Sequence, residues 1–253
     1  MIYDNCNFSW NQGATVKFER ADVFEDDVFV LANYAAPNDS THSGHLNLNG
    51  FDQRIGTLGV YCVSGFRAAE QWNANMRIGS EPPATLTVRR TCRNDAAANL
   101  YHGTLAGAVS FRLVSTDETA GRIRFNCPGS DTTGRLEAVR GTIEVLETAS
   151  FPNLGGLSLS GAGEIRLMTG AVGSDNPDFT VTCAAGTTGH LHLADRVRLS
   201  VRAFHDGRRW LKPGTYGAAA SQDVGPCARL SGSGTILVRE KPGPDPGFLM
   251  IIQ

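Results

Sequence analysis

His190 and His192 stand two apart in Gly189-His-Leu-His-Leu193, so on an extended chain both imidazoles project from one side, as two metal ligands would. The same two places in similar segments hold Arg122 and Arg124, Thr142 and Glu144, and Glu164 and Arg166, and a polar ladder is therefore preferred to a metal site. Ser174-Asp-Asn-Pro-Asp178 and Glu25-Asp26-Asp27 gather oxygens of the kind calcium accepts on irregular loops, and each also reads as an ordinary polar turn. Asp117, Glu118, Glu137, Glu144, Glu147 and Glu164 could supply a carboxylate pair for sugar cleavage, but no spacing singles a pair out. Arg208-Arg209-Trp210 is the basic-aromatic cluster of the chain. Guanidinium groups pair with carboxylates and stack on sugars or aromatic rings, so these three are the expected ligand contacts, against the alternative that Trp210 packs as core.

Other chemistries lose their support. Gly161/Gly163 and Gly232/Gly234 form Gly-x-Gly pairs, yet each opens a strand pattern where a phosphate-binding loop would open a helix. The phosphate-loop, zinc-protease and serine-elbow signatures are missing. No catalytic residue, no cofactor and no metal ligand is assigned. His42, His45 and His102 fall near turns and are expected at the surface. Cysteines at 6, 62, 92, 127, 183 and 227 include no C-x-x-C pair, which argues against a zinc ribbon or a thioredoxin-type centre and leaves both disulfides and buried thiols open.

The elements that must position these residues repeat. A pentad of glycine, variable, aliphatic, variable, apolar recurs as Gly121-Arg-Ile-Arg-Phe125, Gly141-Thr-Ile-Glu-Val145, Gly163-Glu-Ile-Arg-Leu167 and Gly189-His-Leu-His-Leu193, its glycines 20, 22 and 26 residues apart. An offset series appears at Gly134-Arg-Leu-Glu-Ala-Val139 and Gly156-Leu-Ser-Leu159, with looser relatives at 44–48, 84–88 and 234–238. Each copy alternates with period two, which marks a strand with one buried face, and one such strand cannot bury that face alone. Stacked tiers would put Ile123, Ile143, Ile165 and Leu191 in one interior column and Phe125, Val145, Leu167 and Leu193 in the next, with Arg124, Glu144, Arg166 and His192 as an outward ladder. The expected fold is therefore all-β, a parallel solenoid, the alternative for many short strands being a β-sandwich. Helix is expected only at Phe66 to Met76, where Phe66, Ala69, Trp72 and Met76 are helically spaced.

Charge is close to balanced, Lys+Arg 23 against Asp+Glu 25, so no bulk field draws the chain to nucleic acid or to an acidic membrane. The longest purely apolar run, Phe248 to Ile252, is far short of the roughly 18 residues of a spanning helix, so no membrane insertion is expected. The first residues carry no basic region followed by an apolar one, the expectation being either an internal protein or a piece of a longer exported one.

Several segments, in order, resemble the autotransporter-associated β-strand repeat, or passenger-associated transport repeat, of bacterial surface proteins. They are Gly44-His-Leu-Asn-Leu-Asn-Gly-Phe-Asp-Gln-Arg-Ile-Gly-Thr-Leu58, Ala84-Thr-Leu-Thr-Val88, His102-Gly-Thr-Leu-Ala-Gly-Ala-Val-Ser-Phe111 and Thr133-Gly-Arg-Leu-Glu-Ala-Val-Arg-Gly-Thr-Ile-Glu-Val145. The tail adds Lys212-Pro-Gly-Thr-Tyr-Gly217 and Leu230-Ser-Gly-Ser-Gly-Thr-Ile-Leu-Val238. The chain departs from the family pattern in an insertion at 64–80 and in its number of cysteines. The resemblance implies a right-handed parallel β-helix displayed on or released from the bacterial surface, with no catalytic residue in the repeat. The expected layout is a starting region at 1–43, solenoid repeats at 44–238, and a Pro/Gly linker with a terminal strand at 239–253. The expected function is a non-catalytic, adhesin-like passenger or stalk segment contacting surface polysaccharide or another surface protein. The alternative is a carbohydrate-active β-helix of the lyase or glycosidase type.

Overall fold

The period-two segments fold as strands, and each finds its partner about one repeat away. The computed structural model describes residues 15–23, 29–31, 43–59, 75–89, 100–101, 103–116, 121–218 and 224–242. These residues are all β, with no helix among them, and none of them forms a helix long and apolar enough to cross a membrane. Among the described residues the first elements are β1 (Thr15–Lys17), β2 (Phe29–Leu31), β3 (Ser43–Asn47), β4 (Gln53–Ile55), β5 (Thr57–Gly59) and the long β6 (Asn75–Val88). There follow β7 (Leu100–Tyr101), β8 (Thr104–Val114), β9 (Arg122–Phe125), β10 (Arg135–Val145) and β11 (Gly156–Leu167). The last part holds β12 (Thr180–Cys183), β13 (Leu191–Leu193), β14 (Arg198–Val201), β15 (Ala203–Asp206), β16 (Gly214–Gly217), β17 (Gly225–Pro226), β18 (Leu230–Gly232) and β19 (Thr235–Val238).

One 13-stranded sheet runs β1-β3-β6-β8-β10-β11-β12-β15, with β4, β7, β9, β13 and β18 attached along it, beside a four-stranded sheet β14-β19-β16-β17 and the pair β2-β5. All of these strand pairings are parallel except β16 with β19. That departs from the sandwich alternative, whose two sheets are antiparallel.

The register carries out the columns expected from the repeat. Ile123, Ile143, Ile165, Leu191 and Leu230 are successive partners, and Phe125, Val145, Leu167 and Leu193 follow two places on. The four residues Ile123, Ile143, Ile165 and Leu191 are each 0% exposed. Fully burying an aliphatic side chain of this size is worth about 1.5–3 kcal/mol, so each column is a main source of cohesion between neighbouring strands. A third interior column reads Leu86, Phe111, Leu136, Leu157, Val181, Phe204. Phe125 lies edge-on to Tyr101, Phe111 and Phe151, with ring centroids 5.8, 5.0 and 5.8 Å away.

The long strands bend. In β10 the register shifts between Ala138 and Arg140, so its first half lies on β8 and its second half on β9. In β6 the shift falls between Ser80 and Ala84, across Pro82 and Pro83, which have no N–H to give a ladder. The recurring glycines stand where one strand's main chain presses on the next. A Cβ on Gly163 would lie 2.1 Å from the carbonyl oxygen of Ala138, and one on Gly189 would lie 1.8 Å from that of Gly163. The glycine of the pentad is thus required by close backbone approach between neighbouring strands.

The expected helix at 66–76 meets a correction at its end: Asn75 and Met76 open β6, where Met76 partners Gly44 in a parallel ladder. Residues 66–74 lie outside the described residues, as do most of the starting region and Phe248 to Ile252. Within the first 43 residues, β1 and β2 already pair in parallel with β3 and β5.

Candidate functional site

The Arg208-Arg209-Trp210 cluster sits on a tight return that follows β15. Asp206 makes the turn: its Oδ1 accepts the backbone N–H of Arg208 at 2.8 Å and of Arg209 at 2.9 Å. Gly207 takes φ +93°, a conformation that favours glycine. The chain then runs back antiparallel along β15. Asp206 N–H donates to Arg209 O at 3.1 Å, Leu211 N–H donates to Phe204 O at 2.8 Å, and His205 bridges to Trp210. This return covers the side of β15 that β12 does not, removing an open strand edge.

Trp210 is half-buried, and its ring meets that of His205 edge-on, centroids 5.1 Å apart at 74°. It is therefore neither a core residue nor a free one. Arg208 and Arg209 are exposed, and neither guanidinium has a carboxylate within ion-pair distance among the described residues. Arg229 approaches from the strand side, its Nε donating to the carbonyl oxygen of Asp206 at 3.2 Å. Partial burial of the Asp206 carboxyl acts to raise its pKa. The two backbone N–H donors and the positive charges of Arg209 and His205 outweigh that and hold it below the ordinary carboxylate value. His205 Nδ1 lies 3.1 Å from the Cys183 carbonyl oxygen and 3.2 Å from Gly207 N, so it donates to the first when protonated and accepts from the second when not.

His205 also ends an outward row. Arg54, Thr87, Arg112, Glu137, Ser158, Thr182 and His205 are successive register partners. Beside that row lies the Arg135 side chain, which crosses the place left bare by Gly156; a Cβ there would come 2.7 Å from Arg135 Cζ. Arg135 Nη1 donates to Thr180 Oγ1 at 3.2 Å, and Nη2 donates to Thr182 Oγ1 and to Leu157 O, each at 3.2 Å. Sequence reasoning singled out neither Arg135 nor His205. The offset series sets Gly156 against Gly134, 22 residues back, whereas the ladder sets Gly156 against Arg135, so a one-residue difference in register hid the bare place that the long side chain crosses.

The remaining expected residues are placed as follows. The outward ladder Arg124, Glu144, Arg166, His192 is in register and continues to Ser231. Arg124 Nε meets Glu144 at 3.0 Å, but Arg166 pairs with Glu164 of its own strand at 3.1 Å, and His192 Nδ1 lies 3.2 Å from Ser231 Oγ. Glu137 is taken by Arg112 at 2.6 Å, so Glu137, Glu144 and Glu164 each hold an arginine. Partly exposed pairs of this kind contribute about 0.2–1 kcal/mol each. Asp178 binds Arg202 at 2.7 Å, and Asn176 is tied to the carbonyls of Asn153 and Leu154, so the 174–178 turn spends its polar atoms within the fold. Among the described residues no three His, Cys, Asp or Glu come together as metal ligands. Glu25 to Asp27, Asp117, Glu118, His42 and His102 lie outside the described residues.

His45, expected at the surface near a turn, is instead on β3 and half-buried. Its Nε2 is buried without a partner among the described residues, and burial first, then the charge of Arg77, lowers its pKa. Cys127, Cys183 and Cys227 are buried free thiols. Burial pushes Cys183 up to about 12 and raises the other two. No protein-family model, curated protein or solved structure matches the chain.

Proposed function

We propose that the chain is a right-handed parallel β-solenoid that serves as a non-catalytic passenger or stalk segment at the bacterial cell surface. In this reading residues 1–43 start the solenoid, 44–238 form its repeats of about 20–26 residues, and 239–253 close it with a linker and terminal strand. The observation that carries the reading is the in-register interior column Ile123, Ile143, Ile165, Leu191 beneath a polar outward ladder, which is what stacked tiers require and what a surface-displayed repeat presents to solvent. The resemblance to autotransporter-associated repeats supplies the location and the adhesin-like role. Contacts with surface polysaccharide or another surface protein fall to Arg208, Arg209 and Trp210. The carbohydrate-cleaving alternative is not favoured, since Glu137, Glu144 and Glu164 each neutralise an arginine and a working acid–base pair needs its carboxylates free to face substrate.

The test is protease shaving and antibody labelling of intact source cells against lysed ones. Labelling and cleavage on intact cells are expected, and a signal that appears only after lysis overturns the location. Handedness and tier stacking are tested by an experimental structure, in which antiparallel pairing of β9, β10 and β11 would overturn the solenoid.

A further inference from the structure

We infer that the strip running from Trp210 over His205 and Thr182 to Arg135 is a binding site for a carboxylate-bearing polysaccharide, a polyuronate. The inference deepens the proposed contact at Arg208, Arg209 and Trp210 and rests on that part of the reading alone. Three observations carry it.

The strip lacks negative charge at the places that face outward. From β11 to β15 the outward row reads Ser158, Thr182, His205, with Thr180 beside it; Gly156 and Ala203, the register partners of Thr180, are buried. The next outward acid along the row is Glu137, which Arg112 neutralises at 2.6 Å. Asp206 falls on the interior side of the strand, in register with buried Cys183, and its Oδ1 is taken by the two amides of the turn.

The positive groups are held in place, yet they are not used up. Arg208 and Arg209 leave a turn fixed by Asp206, and their guanidinium groups pair with no carboxylate of the described residues, whereas Arg112, Arg124, Arg166 and Arg202 each do. A planar guanidinium matches a carboxylate through two parallel hydrogen bonds, which makes a uronate carboxylate a better partner for it than a neutral sugar hydroxyl.

The hydroxyls are turned into donors. Thr180 and Thr182 each accept an N–H from Arg135; the O–H of Thr180 is left to donate outward, while that of Thr182 makes only long contacts, 3.4 Å to Ser158 Oγ and 3.5 Å to Leu157 O, which a ligand oxygen would replace. The order along the strip is then arginine pair, indole edge, imidazole, threonine hydroxyls, with neighbouring strands about 4.8 Å apart. That is a row of donors and positive charge long enough to meet several sugar units, with Trp210 offering an apolar side to one pyranose face.

The experiment is affinity electrophoresis of the purified full chain in gels containing polygalacturonate, fully methyl-esterified pectin, or neutral galactan, with competition by single-stranded poly(dT). Retardation by polygalacturonate alone is expected, weakening as salt rises. The R208A/R209A double variant is expected to lose about tenfold or more in affinity, as the loss of charge-assisted hydrogen bonds implies. Thr182→Val is expected to weaken binding without touching the turn, and the conservative R208K/R209K to keep part of it. Arg198→Ala, at an exposed position of β14 in the four-stranded sheet, is expected to bind as the parent does. Binding is also expected to change the fluorescence that Trp210→Phe removes. Equal retardation by esterified pectin, displacement by poly(dT) at equal charge, equal damage from Arg198→Ala, or no retardation at all would each overturn the inference. If R208A/R209A fails to melt like the parent, Thr182→Val and the esterified polymer still decide it. Cell-surface labelling is read separately, so a chain that binds polygalacturonate but labels only after lysis removes the location and leaves this site standing.

Discussion

If tiers stack one on another, energetic coupling between core residues must fall off along the stack, and Phe125 is the place to measure it. Its ring is edge-on to Tyr101, Phe111 and Phe151 and is 0% exposed. Each such ring pair adds about 0.5–1.5 kcal/mol beyond burial. Phe125→Leu keeps an apolar side chain while removing all three ring contacts, so a loss of about 2–4 kcal/mol is expected. Phe151→Leu removes one of the same contacts, and a double-mutant cycle between the two should give a coupling of about 0.5–1.5 kcal/mol. Phe204 is equally buried, but it belongs to β15, four strand spacings from β9 along the register and thus on the order of 20 Å away. Phe125→Leu with Phe204→Leu should add to within about 0.5 kcal/mol. Urea unfolding followed by far-UV circular dichroism and by tryptophan fluorescence supplies the energies, and it also reports whether the array unfolds as one unit. A distant coupling above about 1 kcal/mol, or a near coupling of zero, would refute nearest-neighbour stacking.

Three further outcomes are expected. Gly189→Ala should lower stability by at least about 1–3 kcal/mol, because its Cβ would stand 1.8 Å from a main-chain oxygen that has nowhere to go. Gly186→Ala, at φ +73° with nothing within 4 Å, should cost only the backbone term of about 1–2 kcal/mol; thermal melts showing the two equal would remove the packing account of the repeat glycine. Asp206 has its pKa lowered in the fold, so its contribution is present above the ordinary carboxylate value and is lost as pH falls through the lowered one. Asp206→Asn should therefore abolish a stability loss that the parent shows below about pH 4, and urea midpoints with identical acid profiles would argue against it. Cys127, Cys183 and Cys227 have raised values, so their contribution is complete below about pH 9 and is lost as pH climbs toward the folded value, about 12 for Cys183. Native protein should leave all three unlabelled by iodoacetamide at neutral pH, and rapid labelling without denaturant would show that they are not buried thiols.

What the sequence made legible was whatever repeats. The pentad glycines, the Ile123 to Leu191 column and the Arg124 to His192 ladder follow from period two combined with a spacing near 20–26 residues, because parallel stacking puts like on like. Pairings between ladder charges were less legible. Arg166 turns to Glu164 on its own strand instead of to Glu144, since side chains two apart on one face compete with those one strand away. Met76 shows the converse failure: Phe66, Ala69, Trp72 and Met76 carry a helical period, yet the neighbour at Gly44 draws Met76 into the sheet, and a tertiary ladder outweighs a local pattern. His45 departs from expectation for the same reason, as a residue four before a turn can still be the third residue of a half-buried strand.

The candidate site lies where the repeat breaks, and that explains why its partners could not be read from the chain. Successive column members are 20, 22 and 26 residues apart up to Leu191, and then 39 residues separate Leu191 from Leu230. The additional residues make the antiparallel return through Trp210 and the antiparallel β16, two pairings that a parallel stack does not itself provide. A parallel array leaves its last strands with unpaired N–H and C=O groups, and an antiparallel return is the shortest way to satisfy them with local chain. The geometry that closes β15 also brings Arg208 and Arg209 out of the turn and lays Trp210 on His205, so edge protection and exposed binding chemistry are built from the same few residues. Removing the return to test one role would disturb the other. The side-chain substitutions at 208, 209 and 182 leave the backbone pairing of β15 intact and so separate the two.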